Sequence, residues 1–256
     1  TVANKILFLC KNIFKSAEKL GLIEKNPAAP FSATEDAGGS ETSRDVILSK
    51  GDIKKAFCVF EQHSKKVPLS TKIGFILLLI LGNRKMELFS AKWEDIKMDS
   101  QTFTLFEDRT KTSSSLVIPI PDLVMPMLKD LKLISNGSEY LFPARKKSSR
   151  GYISDDTTNH TLANLFGKKV CKKPAGPNYL GDAGVQYFTP HDLRRTFRSL
   201  LAYLKVSDEI GEVCMNHEKK GTTRVYNRYQ YFQERKEALN KLAELIFSLV
   251  NYKGIQ

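Results

Sequence analysis

The 256-residue sequence has only four cysteines, Cys10, Cys58, Cys171 and Cys214, and no two of them form a C-x-x-C pair. That spacing offers neither a zinc site nor a disulfide framework, and it fits a reducing compartment. Long hydrophobic runs are missing too. The longest, IGFILLLILG from Ile73 to Gly82, is about half of the roughly 18 residues that a membrane span needs, and no signal peptide precedes it. It reads as a buried helix. No cluster of carboxylates has the spacing of a metal site, and no segment repeats. These absences argue against a membrane protein, a disulfide-built secreted domain and a metalloenzyme. They leave the expectation of a cytoplasmic protein without a cofactor.

Basic charge is plentiful instead. Forty Lys and Arg against 28 Asp and Glu give a net charge of +12, on a chain long enough for one large domain with a core, or one domain plus a piece of another. The excess is concentrated. Residues 145–205 hold 12 basic against 4 acidic residues, a surplus of +8, in ARKKSSR, GKKVCKK and HDLRRTFR. A charge kept for solubility alone would be spread more evenly, so a polyanion, nucleic acid first, is the expected partner.

In the opening stretch, Ile6, Leu9, Ile13, Ala17 and Leu20 recur at three- and four-residue spacing up to Gly21, the pattern of an amphipathic helix. The chain begins at Thr1, without methionine and inside that pattern, which reads as a fragment of something longer. NPAAPFSATEDAGGSETS, rich in Pro, Gly, Ser and Thr, reads as a linker and places a boundary between residues 27 and 45. Ser49 and Asp52 form a capping box ahead of Ile53, Phe57 and Phe60. FTLFE and LVIPI then flank the polar turn DRTKTSSS as a β-hairpin. Helices are expected near 121–134, 157–170, 190–204, 208–215 and 223–248. In the last, Leu239, Leu242, Ile246 and Leu249 form an apolar stripe that has to be covered.

TPHDLRRTFRSLLAYL, residues 189–204, starts a helix with an unusual collection of cations. Thr189 is a good N-cap, Pro190 suits the first helical position, and Asp192 completes a capping box. His191 and Arg194 then share one face of the first turn, where free N–H groups and the helix dipole already favour an anion. A bound phosphate resolves that conflict; a solvated basic turn is the alternative for the fragment alone. In LGNRKMEL, Arg84 directly follows the buried run, where a guanidinium is costly unless it meets an anion or the carboxylate of Glu87 at i+3. Lys111 in the hairpin turn, His217 in CMNHEKK and Tyr226 in TTRVYNRYQYF carry little weight singly. Their order along the chain with Arg84, His191 and Arg194 is far more specific.

LGNRKMELFSAKWEDI, RTKTSSSLVIPI, TPHDLRRTF and MNHEKKGTTRVYNRY resemble, in order and spacing, the catalytic boxes of the tyrosine recombinases, the phage integrase family. The H-x-x-R pair and the nine-residue step from His217 to Tyr226 are the most specific parts. VYNRYQYFQERKEAL looks most like integrases of satellite phages and genomic islands. The resemblance covers about residues 45–240. It implies an α+β, mainly helical catalytic domain with a small antiparallel β-sheet over 45–256, and makes 1–44 the C-terminal helix of a core-binding domain plus linker. Two departures stand out: Met215-Asn216 precedes His217 where many members have Leu-Gly, and the segment between the hairpin and His191 is long.

The resemblance also implies roles. Arg84 and Arg194 neutralise the non-bridging oxygens of a DNA phosphodiester, and His217 adds a hydrogen bond. Tyr226 is the nucleophile, His191 accepts its proton, and Lys111 protonates the leaving 5′-oxygen. The covalent 3′-phosphotyrosine conserves bond energy, so rejoining needs neither ATP nor metal. Tyr229 and Tyr231 lie on the same predicted helix as Tyr226, but only one of the three can point into one pocket. The expected partners are double-stranded DNA, further protomers in a DNA-bound tetramer, on which the C-terminal stripe could dock instead of on its own domain, and accessory DNA-bending proteins. A type IB topoisomerase shares this chemistry without strand exchange, and a non-catalytic DNA-binding protein would keep the basic pocket for phosphate contact only.

Overall fold

The computed structural model describes residues 1–40, 45–107, 115–144, 149–171, 174–216 and 230–255. The chain divides into two units, Thr1–Asp45 and Val46–Gln256.

In the first unit, helix α1 (Val2–Lys19) is capped by Thr1, whose hydroxyl accepts from the Asn4 amide at 3.2 Å. The apolar stripe forms at the expected spacing, yet no residue of α1 is buried. Residues after the helix fold back along it: Asn26 Nδ2 donates to the Lys11 carbonyl and Asn4 Nδ2 to the Gly39 carbonyl, both at 3.0 Å.

The second unit is built around the apolar run. Helix α2 (Lys50–Gln62) starts at the Ser49/Asp52 capping box and buries Ile53, Phe57 and Phe60. Helix α3 (Leu69–Leu81) has every residue from Ile73 to Leu81 buried, because other elements surround it on all sides. A short helix, α4 (Lys85–Phe89), follows. Strands β1 (Ile96–Lys97), β2 (Thr102–Leu105) and β3 (Leu116–Pro119) form an antiparallel sheet in the order β1-β2-β3. Leu105 pairs with Leu116 and Phe103 with Ile118, so the alternation of the two segments sets the hairpin register. Its turn, residues 108–114 with Lys111, lies outside the described residues.

Helices α5 (Met125–Ile134), α6 (Asp155–Leu165), α7 (Tyr179–Asp182), α8 (Pro190–Tyr203), α9 (Asp208–Cys214) and α10 (Phe232–Leu249) complete the unit. The α10 stripe is covered by its own domain. Leu239, Leu242 and Ile246 are buried, and the helix packs on β3 and α3. The architecture is thus mainly helical with a small antiparallel sheet, the α+β class that the sequence implies.

Several details differ from the sequence reading, among them the short helices α4 and α7, which it did not expect. β1 was not expected, since a two-residue strand is too short to show alternation. The helix expected over 157–170 ends at Leu165. The helix expected from 223 begins only at Phe232: Tyr231 takes a left-handed φ of 50°, which a right-handed helix cannot continue through. Residues 223–229 lie outside the described residues.

Candidate active site

Arg84 stands at the junction of α3 and α4, and glycine makes that junction possible. Gly82 closes α3 with φ +65°, and a Cβ there would lie 2.4 Å from the Phe197 ring of α8. Only glycine satisfies both the left-handed turn and the close approach of the aromatic ring. The chain then reverses to an extended residue, Arg84, which caps α4. Its backbone N–H donates to Glu87 Oε2, and its Nη1 to Glu87 Oε1, each at 2.8 Å. The Arg84–Glu87 pair foreseen as one possibility is therefore present. It engages one of the five N–H groups of the guanidinium, so the others can still serve an anion.

α8 begins as its sequence dictates: Thr189 is the N-cap, Pro190 opens the helix, and buried Asp192 accepts from Thr189 N and Oγ1 at 2.8 Å. Arg194, one turn in, is buried. Its Nη1 donates to the Gly82 carbonyl and its Nη2 to the Met215 carbonyl. The guanidinium thus ties the turn before Arg84 to the end of α9, two residues before His217. Burial, followed by the charge of Arg84, pulls the Arg194 pKa down to about 10, against the opposing carboxylates of Glu87 and Glu212.

His191 lies on the exposed end of α8, on the wall of a cleft of about 440 Å³ shared with Lys85, Asn159, Tyr187 and Thr189. Partial desolvation lowers its pKa from the usual 6.5. The cations Arg195, Arg194 and Arg84 push it the same way, and only Asp192 opposes them. Arg195 is paired with Asp192 at 2.7 Å.

α9 is fixed to α8 by Arg198, whose Nε reaches Glu212 at 3.0 Å and whose Nη2 reaches Asp208 at 2.7 Å. After α9, Asn216 has φ +49°. Asparagine tolerates that left-handed conformation, so Met215-Asn216 makes a left-handed turn after α9 without glycine.

The structure therefore gathers Arg84, His191 and Arg194 at the α3/α8 junction. His217 and Tyr226, like Lys111, lie outside the described residues. Two buried polar residues escaped the sequence reading. Asn83, beside Arg84, is buried with neither amide atom hydrogen-bonded, and its place directly after the apolar run was its only signal. Arg235 of α10 is fully buried, and its place on the face of Leu239, Leu242 and Ile246, at i+4, i+7 and i+11, could have marked it.

A mainly helical domain with a small antiparallel sheet, and with Arg84, His191 and Arg194 gathered where one helix ends and another begins, is the class of protein that the fold defines. The Phage integrase family model matches residues 48–232, and the chain belongs to that family. It is 25% identical over 185 residues to prophage integrase IntA of Escherichia coli, covering 72% of this chain and 40% of that protein. It is 27% identical over 249 residues to tyrosine recombinase XerA of Pyrococcus horikoshii, covering 97% and 73%. Against the two E. coli prophage integrases it matches, IntA and IntZ, the chain spans about half their length. Among solved structures, a lambda integrase tetramer bound to a Holliday junction superposes with a TM-score of 0.60 at 18% identity, over 86% of this chain and 59% of that one. The fold is therefore that of the integrase catalytic domains.

Proposed function

We propose that residues 45–256 are the catalytic domain of a site-specific tyrosine recombinase, an integrase of a mobile element, and that residues 1–44 are the end of a core-binding domain plus its linker. The observation that carries this is the packing of Arg84, Arg194 and His191 into one junction, where Glu87 is the one carboxylate ion-paired to them among the described residues. Burial first, and then the charge of Arg84, holds the Arg194 pKa down, and burial with the neighbouring arginines holds that of His191 down, a state that a bound phosphodiester would relieve.

In this reading the Tyr226 oxygen attacks the scissile phosphorus and the bond to the 5′-oxygen breaks. The phenolic proton passes to His191, and Lys111 supplies the proton taken by the departing 5′-oxygen. Arg84, held by Glu87, and Arg194, held by two carbonyls, direct their remaining N–H groups at the non-bridging oxygens as charge develops there, and His217 adds a donor. Attack of a 5′-hydroxyl on the phosphotyrosine reverses each step. Double-stranded DNA is the substrate, and further protomers complete the strand exchange, as the DNA-bound dimers and tetramers of lambda integrase suggest.

A suicide oligonucleotide that releases its short 5′-fragment on cleavage tests the proposal: the chain should be trapped covalently, while a purely DNA-binding protein would not. Relaxation of supercoiled DNA at no defined site would favour a topoisomerase. The proton-accepting role of His191 also predicts a pH dependence. Its lowered pKa keeps the ring neutral further into acid than an ordinary histidine, so the acid limb of kcat/KM for cleavage should have its midpoint below pH 6.5. A midpoint above 6.5 would remove His191 from that role.

A further inference from the structure

Arg235 is a buried cation with an unusual set of partners. It is fully buried in α10, in the core that also holds Leu239 and Leu242. Its Nε donates to the Gln230 carbonyl at 2.8 Å and its Nη1 to the Val117 carbonyl at 2.9 Å, while its own backbone N–H donates to the Tyr231 carbonyl at 2.9 Å. Its Nη2 has no hydrogen-bond partner, and no carboxylate lies within ion-pair distance of it among the described residues. The guanidinium carbon sits 5.8 Å from the centre of the Phe232 ring. Desolvation accordingly lowers its pKa.

Such a group is a poor device for stability. A buried, unpaired guanidinium costs free energy that an apolar side chain of similar volume would not, and replacing buried ionic groups by hydrophobic ones is often neutral or stabilising. What arginine adds here is two directional hydrogen bonds to backbone carbonyls from separate parts of the chain. Val117 belongs to β3, six residues after Lys111. Gln230 lies four residues after Tyr226, immediately before the left-handed Tyr231 that starts α10.

We propose that Arg235 is a positioning residue for strand cleavage: it registers the backbone following the nucleophile Tyr226 against the strand that leads out of the Lys111 hairpin. This rests on the assignment of Tyr226 and Lys111 made above. Displacing reacting groups by about 1 Å costs on the order of 10²-fold in rate, so loss of the clamp should appear in the chemical step and not in DNA affinity.

The test uses the full chain with Arg235→Met and Arg235→Lys, read by thermal unfolding, DNA binding and single-turnover trapping on the suicide oligonucleotide. Arg235→Met should stay folded, bind DNA within about twofold of wild type and form adduct about 10²-fold more slowly at saturating DNA. Arg235→Lys, which can reach one carbonyl but not fork to both, should fall between the two. Wild-type rates in Arg235→Met would reduce Arg235 to packing and overturn the proposal. So would loss of folding in both variants, or a defect confined to DNA affinity. Failure of the wild-type chain to form any adduct would instead strike at the recombinase reading itself.

Discussion

Lys111→Ala is expected to slow cleavage of an ordinary phosphodiester by about 10²- to 10⁴-fold, the usual worth of general acid–base assistance. The 5′-oxygen is a poor leaving group unless it is protonated as it departs, and a lysine in a hairpin turn can deliver that proton. Replacing the 5′-bridging oxygen with sulfur lowers the leaving-group pKa so far that protonation is no longer needed. On that substrate the variant should regain most of the wild-type rate. Arg84→Ala and Arg194→Ala should remain defective on both substrates, because their charge acts on the non-bridging oxygens, which the sulfur leaves unchanged. Single-turnover rates on the paired substrates decide the matter. Equal defects on both would make Lys111 a DNA-positioning residue.

Truncation after Ala238 is expected to abolish folding. Leu239, Leu242, Ile246 and Val250 are all buried against the domain that carries them. Removing a large buried aliphatic side chain costs about 2–5 kcal/mol, so losing these together rivals or exceeds the roughly 5–15 kcal/mol that holds a domain folded. The truncated chain should show no cooperative unfolding transition in urea. The last residues contribute as well: the Tyr252 hydroxyl and the Ile255 N–H both donate to Asp130 on α5. A truncated protein that still melts cooperatively and cleaves a single site would instead mean that α10 is an appendage made for a neighbouring protomer.

What could be read from the sequence was local. The capping boxes Ser49/Asp52 and Thr189/Asp192 are three-residue devices, and both form as their residue types require. The hairpin was legible because apolar alternation resumes on each side of a polar turn, and the buried α3 because nothing but a core accommodates its composition. The Arg84–Glu87 pair is likewise an i, i+3 contact.

What could not be read depends on distant backbone. Arg194 is held by the carbonyls of Gly82, 112 residues away, and Met215, 21 residues away, and no side-chain pattern announces a carbonyl acceptor. The start of α10 was misplaced for a similar reason. Apolar and aromatic residues recur through 225–232, at Val225, Tyr226, Tyr229, Tyr231 and Phe232, but Tyr231 takes a left-handed turn: its hydroxyl donates to the distant Glu209 Oε1 at 2.7 Å, and its carbonyl receives the first helical N–H, that of Arg235.

The central claim is that one tyrosine, Tyr226, carries the DNA. The most direct measurement is to trap the wild-type chain on a suicide oligonucleotide, digest the adduct with protease and nuclease, and locate the modified residue by mass spectrometry. The account predicts a 3′-phosphonucleotide on Tyr226 alone, with Tyr226→Phe binding the same DNA and yielding no adduct. Modification of Tyr229 or Tyr231, or an adduct that survives in Tyr226→Phe, would contradict it.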